Sequence, residues 1–130
     1  YFIDRGTTYF LNNEYERALE DYDAASSLDP NESTIYYNRG LVYAKRGEFS
    51  YAIANYTRAI TLNPGVAETY YIRGLAYQES QEPAQAIANF EMVLSMSKNP
   101  FLRQQAHDAL EEVRGGSAEG SSPNTEPTTE

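Results

Sequence analysis

The side chains best suited to catalysis are scarce in this sequence. Its 130 residues include one histidine, His107, and no cysteine, which excludes thiolate nucleophiles, zinc–thiolate sites and disulfides. An active site would therefore require His107 together with a nucleophile and an orienting carboxylate. Asp108 is adjacent in sequence, but neighbouring residues on a helix point in different directions. The sequence predicts no enzyme, no cofactor and no metal site.

Two short segments have some features of loops that bind ions or phosphates. DYDAASSLD at 21–29 spaces its carboxylates roughly as a calcium loop does, but it lacks the central glycine and the closing glutamate and falls within a predicted helix. GGSAEG at 115–120 contains no lysine and follows no predicted strand, so it does not match a phosphate-binding loop. Neither segment predicts a ligand site.

The charge of the chain limits its partners. The sequence has 19 acidic and 10 basic residues, a net charge of -9, whereas nucleic acids and anionic membranes bind cationic surfaces. We therefore predict no nucleic-acid partner and no membrane partner. Residues 1–34 hold eight acidic and two basic residues, which indicates either a solvated outer face or a docking site for a basic partner.

Three similar eight-residue segments recur at an interval of 34 residues. They are FIDRGTTY, YYNRGLVY and YYIRGLAY, which begin at Phe2, Tyr36 and Tyr70. With Ser33 counted as place 1, glycine recurs at place 8, alanine at place 20 and aromatic residues at places 4, 11 and 24. Such a period is typical of units that bury their apolar faces by stacking on copies of themselves. The pattern resembles the tetratricopeptide repeat, a helix–turn–helix unit.

This resemblance implies an all-α fold, a right-handed α-solenoid of antiparallel helix pairs. The expected divisions are repeats at 1–32, 33–66 and 67–100, a capping helix at 101–114 and a disordered tail at 115–130. Helices are predicted near 2–12, 14–28, 33–46, 49–61, 67–80, 83–96 and 102–114. The tail is expected because its composition offers little apolar surface to bury. The chain opens at Tyr1 in mid-pattern, so we expect a fragment; no compartment is assigned, with the cytoplasm favoured.

Two recurring residue types suggest how the helices pack. Glycine inside a helix costs about 1 kcal/mol relative to alanine, so its recurrence at place 8 predicts a close helix approach, with the alanine of place 20 opposite. Arginine recurs at place 7, where it is expected to bond a polar residue at place 23 or to bind a ligand. The arginines are Arg5, Arg39 and Arg73, and the expected partners are Asp21, Asn55 and Asn89.

Tetratricopeptide proteins line a concave face with the first helix of each repeat and bind peptide segments there. The resemblance therefore implies a peptide-binding site, whose predicted residues are Tyr37, Asn38, Leu41, Lys45, Tyr71, Ile72 and Leu75. Tyr37 and Tyr71 have no expected packing role and would serve as anchors, while Asn38 would hydrogen-bond the peptide backbone. We predict a scaffold or adaptor module that binds a protein or peptide partner. The alternative is a structural spacer that lacks a peptide ligand or associates with itself.

Some members of the family grip the free C-terminus of chaperones with a clamp of lysine, asparagine and arginine side chains. The residues at the corresponding places here are Ile3, Thr7, Asn38, Glu68 and Ile72. Only Asn38 matches, and Glu68 has the wrong charge for a carboxylate ligand. The sequence therefore predicts that this chain is not a carboxylate-clamp adaptor.

Overall fold

The computed structural model describes residues 1–121, which form seven α-helices and no strand. The helices are α1 (Phe2–Leu11), α2 (Tyr15–Leu28), α3 (Ser33–Lys45), α4 (Phe49–Leu62), α5 (Ala67–Glu79), α6 (Pro83–Met96) and α7 (Pro100–Ser121). The bounds of the first six lie within one residue of those predicted from the repeat. None of the helices in this described part is long and apolar enough to cross a membrane.

The helices pack in chain order as a stack of pairs. The pairs are α1 with α2, α3 with α4, and α5 with α6, and each pair packs on the next through α2–α3, α4–α5 and α6–α7. The odd-numbered helices also approach one another, since α1 contacts α3 and α5 contacts α7. Within residues 1–121, α2–α4 and α4–α6 make no comparable contact. The odd-numbered helices therefore lie on the inner side of the curved stack, and the predicted all-α solenoid is confirmed.

Each pair is held together by a glycine that faces an aromatic ring. The contacts join Gly6 to Tyr22, Gly40 to Tyr56 and Gly74 to Phe90. A methyl group on Gly74 would lie 2.6 Å from Cε1 of Phe90, and the ring is fully buried. The prediction of a close approach is correct, but its predicted partner is wrong. The place-20 alanines are buried, yet it is the place-24 ring that is large enough to reach the glycine backbone.

The turn inside each pair uses a left-handed residue at one recurring place. Asn13, Gly47 and Gln81, all at place 15, have φ angles of 64°, 78° and 62°. Glycine adopts this conformation without strain, and asparagine does so more readily than most residues. The turn therefore reverses the chain in the same way in all three repeats.

The last helix is longer than predicted. It begins at Pro100 and continues to Ser121, whereas the predicted tail begins at Gly115. Adding a residue to an existing helix is much easier than starting a new one, so α7 continues through residues that would not form a helix alone. Its buried residues are Leu102, Ala106, Ala109, Leu110 and Val113, which pack with α6. Residues 122–130 of the predicted tail lie outside the described residues.

Replacing Gly40 with alanine should lower the free energy of unfolding by up to about 2 kcal/mol. Overpacking a filled core costs about 1–3 kcal/mol, which outweighs the gain of about 1 kcal/mol from alanine in a helix. Tyr56 is only 1% exposed and its ring has no room to retreat. Urea denaturation followed by circular dichroism measures the change.

The matched control is Gly65→Ala, because a methyl group there meets only Oδ1 of Asn63, at 3.8 Å. Its free energy of unfolding should stay close to that of the parent. If Gly40→Ala is as stable as the control, the glycine–ring contact does not determine the packing of the pair.

Candidate functional site

A cavity of about 320 Å³ lies where the start of α3 meets the end of α4 and the start of α5. Its lining residues are Ser33, Thr34, Tyr37, Asn38, Ala59, Asn63, Val66 and Thr69. Ala59 and Thr69 are almost fully buried and form its floor. The amides of Asn38 and Asn63 supply donors and acceptors. An apolar cavity with a few polar groups is the usual form of a binding site, and this one suits an apolar side chain of a peptide.

Tyr37 forms one wall of this cavity and also packs against the core. Its ring centroid lies 6.3 Å from that of Tyr56, the residue that contacts Gly40. Burial raises the pKa of the Tyr37 hydroxyl, and the carboxylate of Glu68 raises it further, so the hydroxyl is protonated at neutral pH. The expectation that Tyr37 has no packing role is wrong, because place 5 lies close enough to the place-24 ring for the two aromatic side chains to meet.

Tyr71 has the same relation to the core and lies near the last helix. Its ring centroid is 5.8 Å from that of Phe90, so the expectation of no packing role is wrong here too. Burial raises the pKa of the Tyr71 hydroxyl, and the carboxylates of Asp108 and Glu112 on α7 raise it further. Tyr71 and Leu75 both pack against the cluster to which α7 contributes. The end of the inner face at α5 is therefore partly covered by α7.

The other predicted site residues lie between these two regions. Leu41 and Ile72 pack in a single cluster centred on Ala52, Tyr56 and Ala76. Lys45 is exposed in the last turn of α3. Of the seven predicted residues, the cavity therefore brings together Tyr37 and Asn38.

Sequence reasoning missed the cavity residues that come from outside the first helix of the repeat. Ala59 lies in α4, Asn63 and Val66 follow it, and Thr69 belongs to the next repeat. The small residue at place 27 was the available signal, since alanine there leaves space beside the large place-5 side chain. To predict the cavity from this alanine, one would need to know the distance between the first and second helix of the repeat.

A second cavity, of about 270 Å³, occupies the equivalent position one repeat earlier. Its lining residues are Tyr1, Phe2, Ile3, Ala25, Leu28, Asp29, Glu32 and Ile35. Five of the places are shared by the two cavities: Ile3 corresponds to Tyr37, Ala25 to Ala59, Asp29 to Asn63, Glu32 to Val66 and Ile35 to Thr69. The cavity is thus a product of the repeat geometry, and its chemistry changes with the residues at those places.

The place-7 arginines form a ladder of polar contacts along the stack. Nε and Nη2 of Arg5 donate to the two carboxylate oxygens of Asp21, each at 2.8 Å. Nε of Arg73 donates to Oδ1 of Asn89 at 2.8 Å. These two contacts confirm the predicted pairing of place 7 with place 23. Nη1 of Arg73 also donates to Thr57 of the preceding repeat, at 3.1 Å, so the ladder joins neighbouring repeats.

Arg39 departs from the predicted pairing. Its Nη1 donates to Asp23 in the preceding repeat at 2.9 Å, while its Nε is buried and has no partner within the described part of the chain. Asn55 instead donates its amide to the carbonyl oxygen of Tyr51. The carboxylate of Asp23 attracts the guanidinium more strongly than the neutral amide of Asn55 does, which accounts for the change of partner.

The pairing of Arg5 with Asp21 should make stability depend on pH in the acidic range. The hydrogen bonds from Arg5 hold the pKa of Asp21 below its usual value. Their contribution is therefore complete above the unfolded pKa of about 4, and it is lost as the pH falls through the lower folded pKa. Asp21→Asn should retain an Arg5 contact like that of Asn89 and show a shallower loss of melting temperature below about pH 4.

Asp23→Asn is the control, because this carboxyl is exposed and Arg39 is its only ion-pair partner among the described residues. Thermal melts from neutral to acidic pH compare the two variants with the parent. An acid dependence in Asp21→Asn identical to that of the parent would contradict the assignment.

The residues considered for catalysis or for ion binding do not come together in the part of the chain that the structure describes. His107 is exposed on α7. DYDAASSLD lies in α2 and the residue after it. No group of three or more histidine, cysteine, aspartate or glutamate side chains among the described residues is arranged to hold a metal ion. The arrangement that the geometry does provide is a pair of cavities suited to binding side chains.

Sequence profiles of one family match most of the chain. The profile described as "TPR repeat" matches residues 6–47, and two described as "Tetratricopeptide repeat" match residues 33–66 and 67–100. The chain belongs to the tetratricopeptide repeat family. Its three tandem repeats coincide with the three helix pairs of the structure. No curated protein matches the chain.

Solved structures of tetratricopeptide domains have the same fold. The first such domain of Spaghetti (RPAP3), bound to the HSP90 peptide SRMEEVD, is 26% identical with a TM-score of 0.83 and covers 90% of each chain. The second domain of human RPAP3, in complex with the HSP70 peptide SGPTIEEVD, is 28% identical with a TM-score of 0.78, covering 85% of this chain and 90% of that one.

A more distant structure shows the fold alone. The Yersinia enterocolitica type III secretion chaperone SycD, in complex with a peptide of the translocator YopD, is 16% identical with a TM-score of 0.83. It covers 89% of this chain and 92% of its own. The arrangement of helices is therefore retained although few residues are shared.

Proposed function

We propose that this tetratricopeptide domain is a protein–protein interaction module that binds a peptide segment of a partner on its inner face, as a scaffold or adaptor. The observation that carries the proposal is the cavity between α3, α4 and α5, with its buried floor of Ala59 and Thr69 and its amide groups. An apolar side chain of the peptide enters beside Tyr37, and Asn38 hydrogen-bonds the peptide backbone. The other contacts come from the flanking residues Leu41, Lys45, Tyr71, Ile72 and Leu75.

The two RPAP3 structures support binding of peptides by this fold, and they also mark a difference. The peptides bound in those two structures end in EEVD. In this chain Ile3 and Ile72 stand at places where the clamp has basic residues, and the exposed Glu68 adds a negative charge. A peptide with an acidic end would be repelled by Glu68 and would find no cation at these places. We therefore propose that the partner segment is not an acidic C-terminus and that the domain acts by binding rather than by catalysis.

Blocking the cavity from its edge tests the proposal without removing a core side chain. Thr34 is exposed in the first turn of α3 and lines the cavity. Thr34→Trp should fill the space and weaken the binding of peptides selected against the parent domain from a random display library, by about tenfold or more, as expected for loss of a central contact. Isothermal titration calorimetry measures the affinity.

Thr61→Trp is the matched control, because Thr61 is exposed in the last turn of α4 and does not line this cavity. It should bind the selected peptides like the parent. Equal affinity of both variants, with unchanged helicity, would place the binding site elsewhere on the domain.

A structural spacer or self-associating module is the competing function. It is favoured by two apolar side chains at the end of the stack near α1, Tyr1 and Leu28, which are 82% and 75% exposed. Sedimentation velocity over a wide range of concentration separates the two functions. Oligomers that form without peptide, together with no peptide selected from the library, would support self-association.

A further inference from the structure

The two cavities share a position in the repeat but differ in charge. At places 31 and 34 the first-repeat cavity has Asp29 and Glu32, where the second-repeat cavity has Asn63 and Val66. At place 6, the first repeat has the acidic residue Asp4, whereas the second repeat has the neutral residue Asn38, which lines the second-repeat cavity. Two acidic residues, Asp29 and Glu32, therefore line the first-repeat cavity at places that are neutral in the next repeat, and Asp4 adds a third negative charge next to the lining residue Ile3.

The walls of the first-repeat cavity are apolar and aromatic. Tyr1, Phe2 and Leu28 line its sides, and Ala25 and Ile35 are buried at its floor. The long side chains of lysine and arginine bury their methylene groups against apolar surface while the charged end stays at a polar edge. Aromatic rings add an attraction for a nearby cation. An apolar cavity with carboxylates at its edge matches this type of side chain.

The acidic residues are available to a ligand. Asp4, Asp29 and Glu32 form no ion pair within the described residues. A basic residue, Arg5, lies close to the cavity, since its guanidinium is over the ring of the lining residue Tyr1, 5.1 Å from the ring centroid. Both carboxylate oxygens of Asp21 already bind that guanidinium. The charge of Arg5 is thus balanced by a partner of its own, and the edge of the cavity keeps its negative charge.

We infer that the first-repeat cavity is a specificity pocket for a lysine or arginine side chain of the bound peptide, next to the apolar anchor in the second-repeat cavity. This inference rests on the proposed function, since it assigns chemistry to the same peptide. The acidic excess of residues 1–34 attracts a basic segment over a longer range.

The repeat geometry sets the spacing of the two anchors in the peptide. The cavities are one repeat apart along α1 and α3, which contact each other, and packed helices lie about 8–10 Å apart. An extended chain advances about 3.3 Å per residue. The basic and the apolar residue should therefore be about three residues apart in an extended peptide.

Short peptides with blocked termini test this inference directly. The probes are acetylated, amidated octapeptides that carry lysine and leucine three residues apart, made in both orders, with norleucine or glutamate in place of lysine for comparison. The isotope-labelled chain is titrated and its amide resonances are followed by NMR. The better lysine peptide should bind about two- to fivefold more tightly than its norleucine counterpart at low salt. It should shift the resonances of Glu32 and Ile35 as well as those of Val66 and Thr69.

Variants that copy the second repeat into the first supply the specific control. Asp29→Asn with Glu32→Val introduces the residues found at Asn63 and Val66, so the fold already accommodates them at equivalent places. This double variant should bind the lysine peptide no better than the norleucine peptide. Glu16→Gln with Glu20→Gln removes the same charge from exposed positions of α2, and it should keep most of the preference.

The outcomes separate this inference from the proposed function. Equal affinity of the parent for the lysine and norleucine peptides would overturn the basic pocket, as would a preference that survives in the double variant. The proposed function would still stand if Thr34→Trp weakened binding of the norleucine peptide. No resonance shift with any of the peptides would also overturn the inference, whereas the library selection tests the proposed function independently.

Discussion

The close contact between a helical glycine and a buried aromatic ring sets the separation of the two helices in every pair. At Gly40 the absence of a side chain lets the ring of Tyr56 lie against the backbone of α3. The ring of Tyr56 also packs against the ring of Tyr37, which forms a wall of the cavity between α3, α4 and α5. The cavity therefore has its shape because the pair packs this tightly, and residues of the core and of the site are in direct contact.

The helices could be predicted from the sequence because the same pattern of residue types occurs in all three repeats. The bounds of the helices in one repeat can therefore be checked against those in the other two. The contacts between side chains were harder to predict. The packing of Tyr37 on Tyr56 and the floor formed by Ala59 and Thr69 depend on how far apart three helices lie, which periodicity does not specify. The partner of Arg39 is a further example, since Asp23 belongs to the preceding repeat and competes with the predicted Asn55.

The end of the last helix shows a different limit. The composition after Arg114 predicts a tail, yet α7 continues through Gly115 to Ser121. Composition describes what a segment would do alone, whereas here the segment follows a helix anchored by Leu110 and Val113. The same anchoring brings α7 beside Tyr71, so α7 covers part of the inner face at α5.

The repeat keeps the shape of the cavity while the chemical character of the lining residues changes. Stacking preserves a cavity of similar size at the same place in the first two repeats, while the lining residues at places 31 and 34 differ between them. In the proposed function, these variable places would determine which peptide the domain binds. A crystal structure of the domain with a peptide selected from the library would test this account most directly. We predict an apolar peptide side chain between Tyr37 and Ala59, with the peptide backbone hydrogen-bonded to Asn38. A peptide bound instead along the outer surface of α2 and α4 would contradict it.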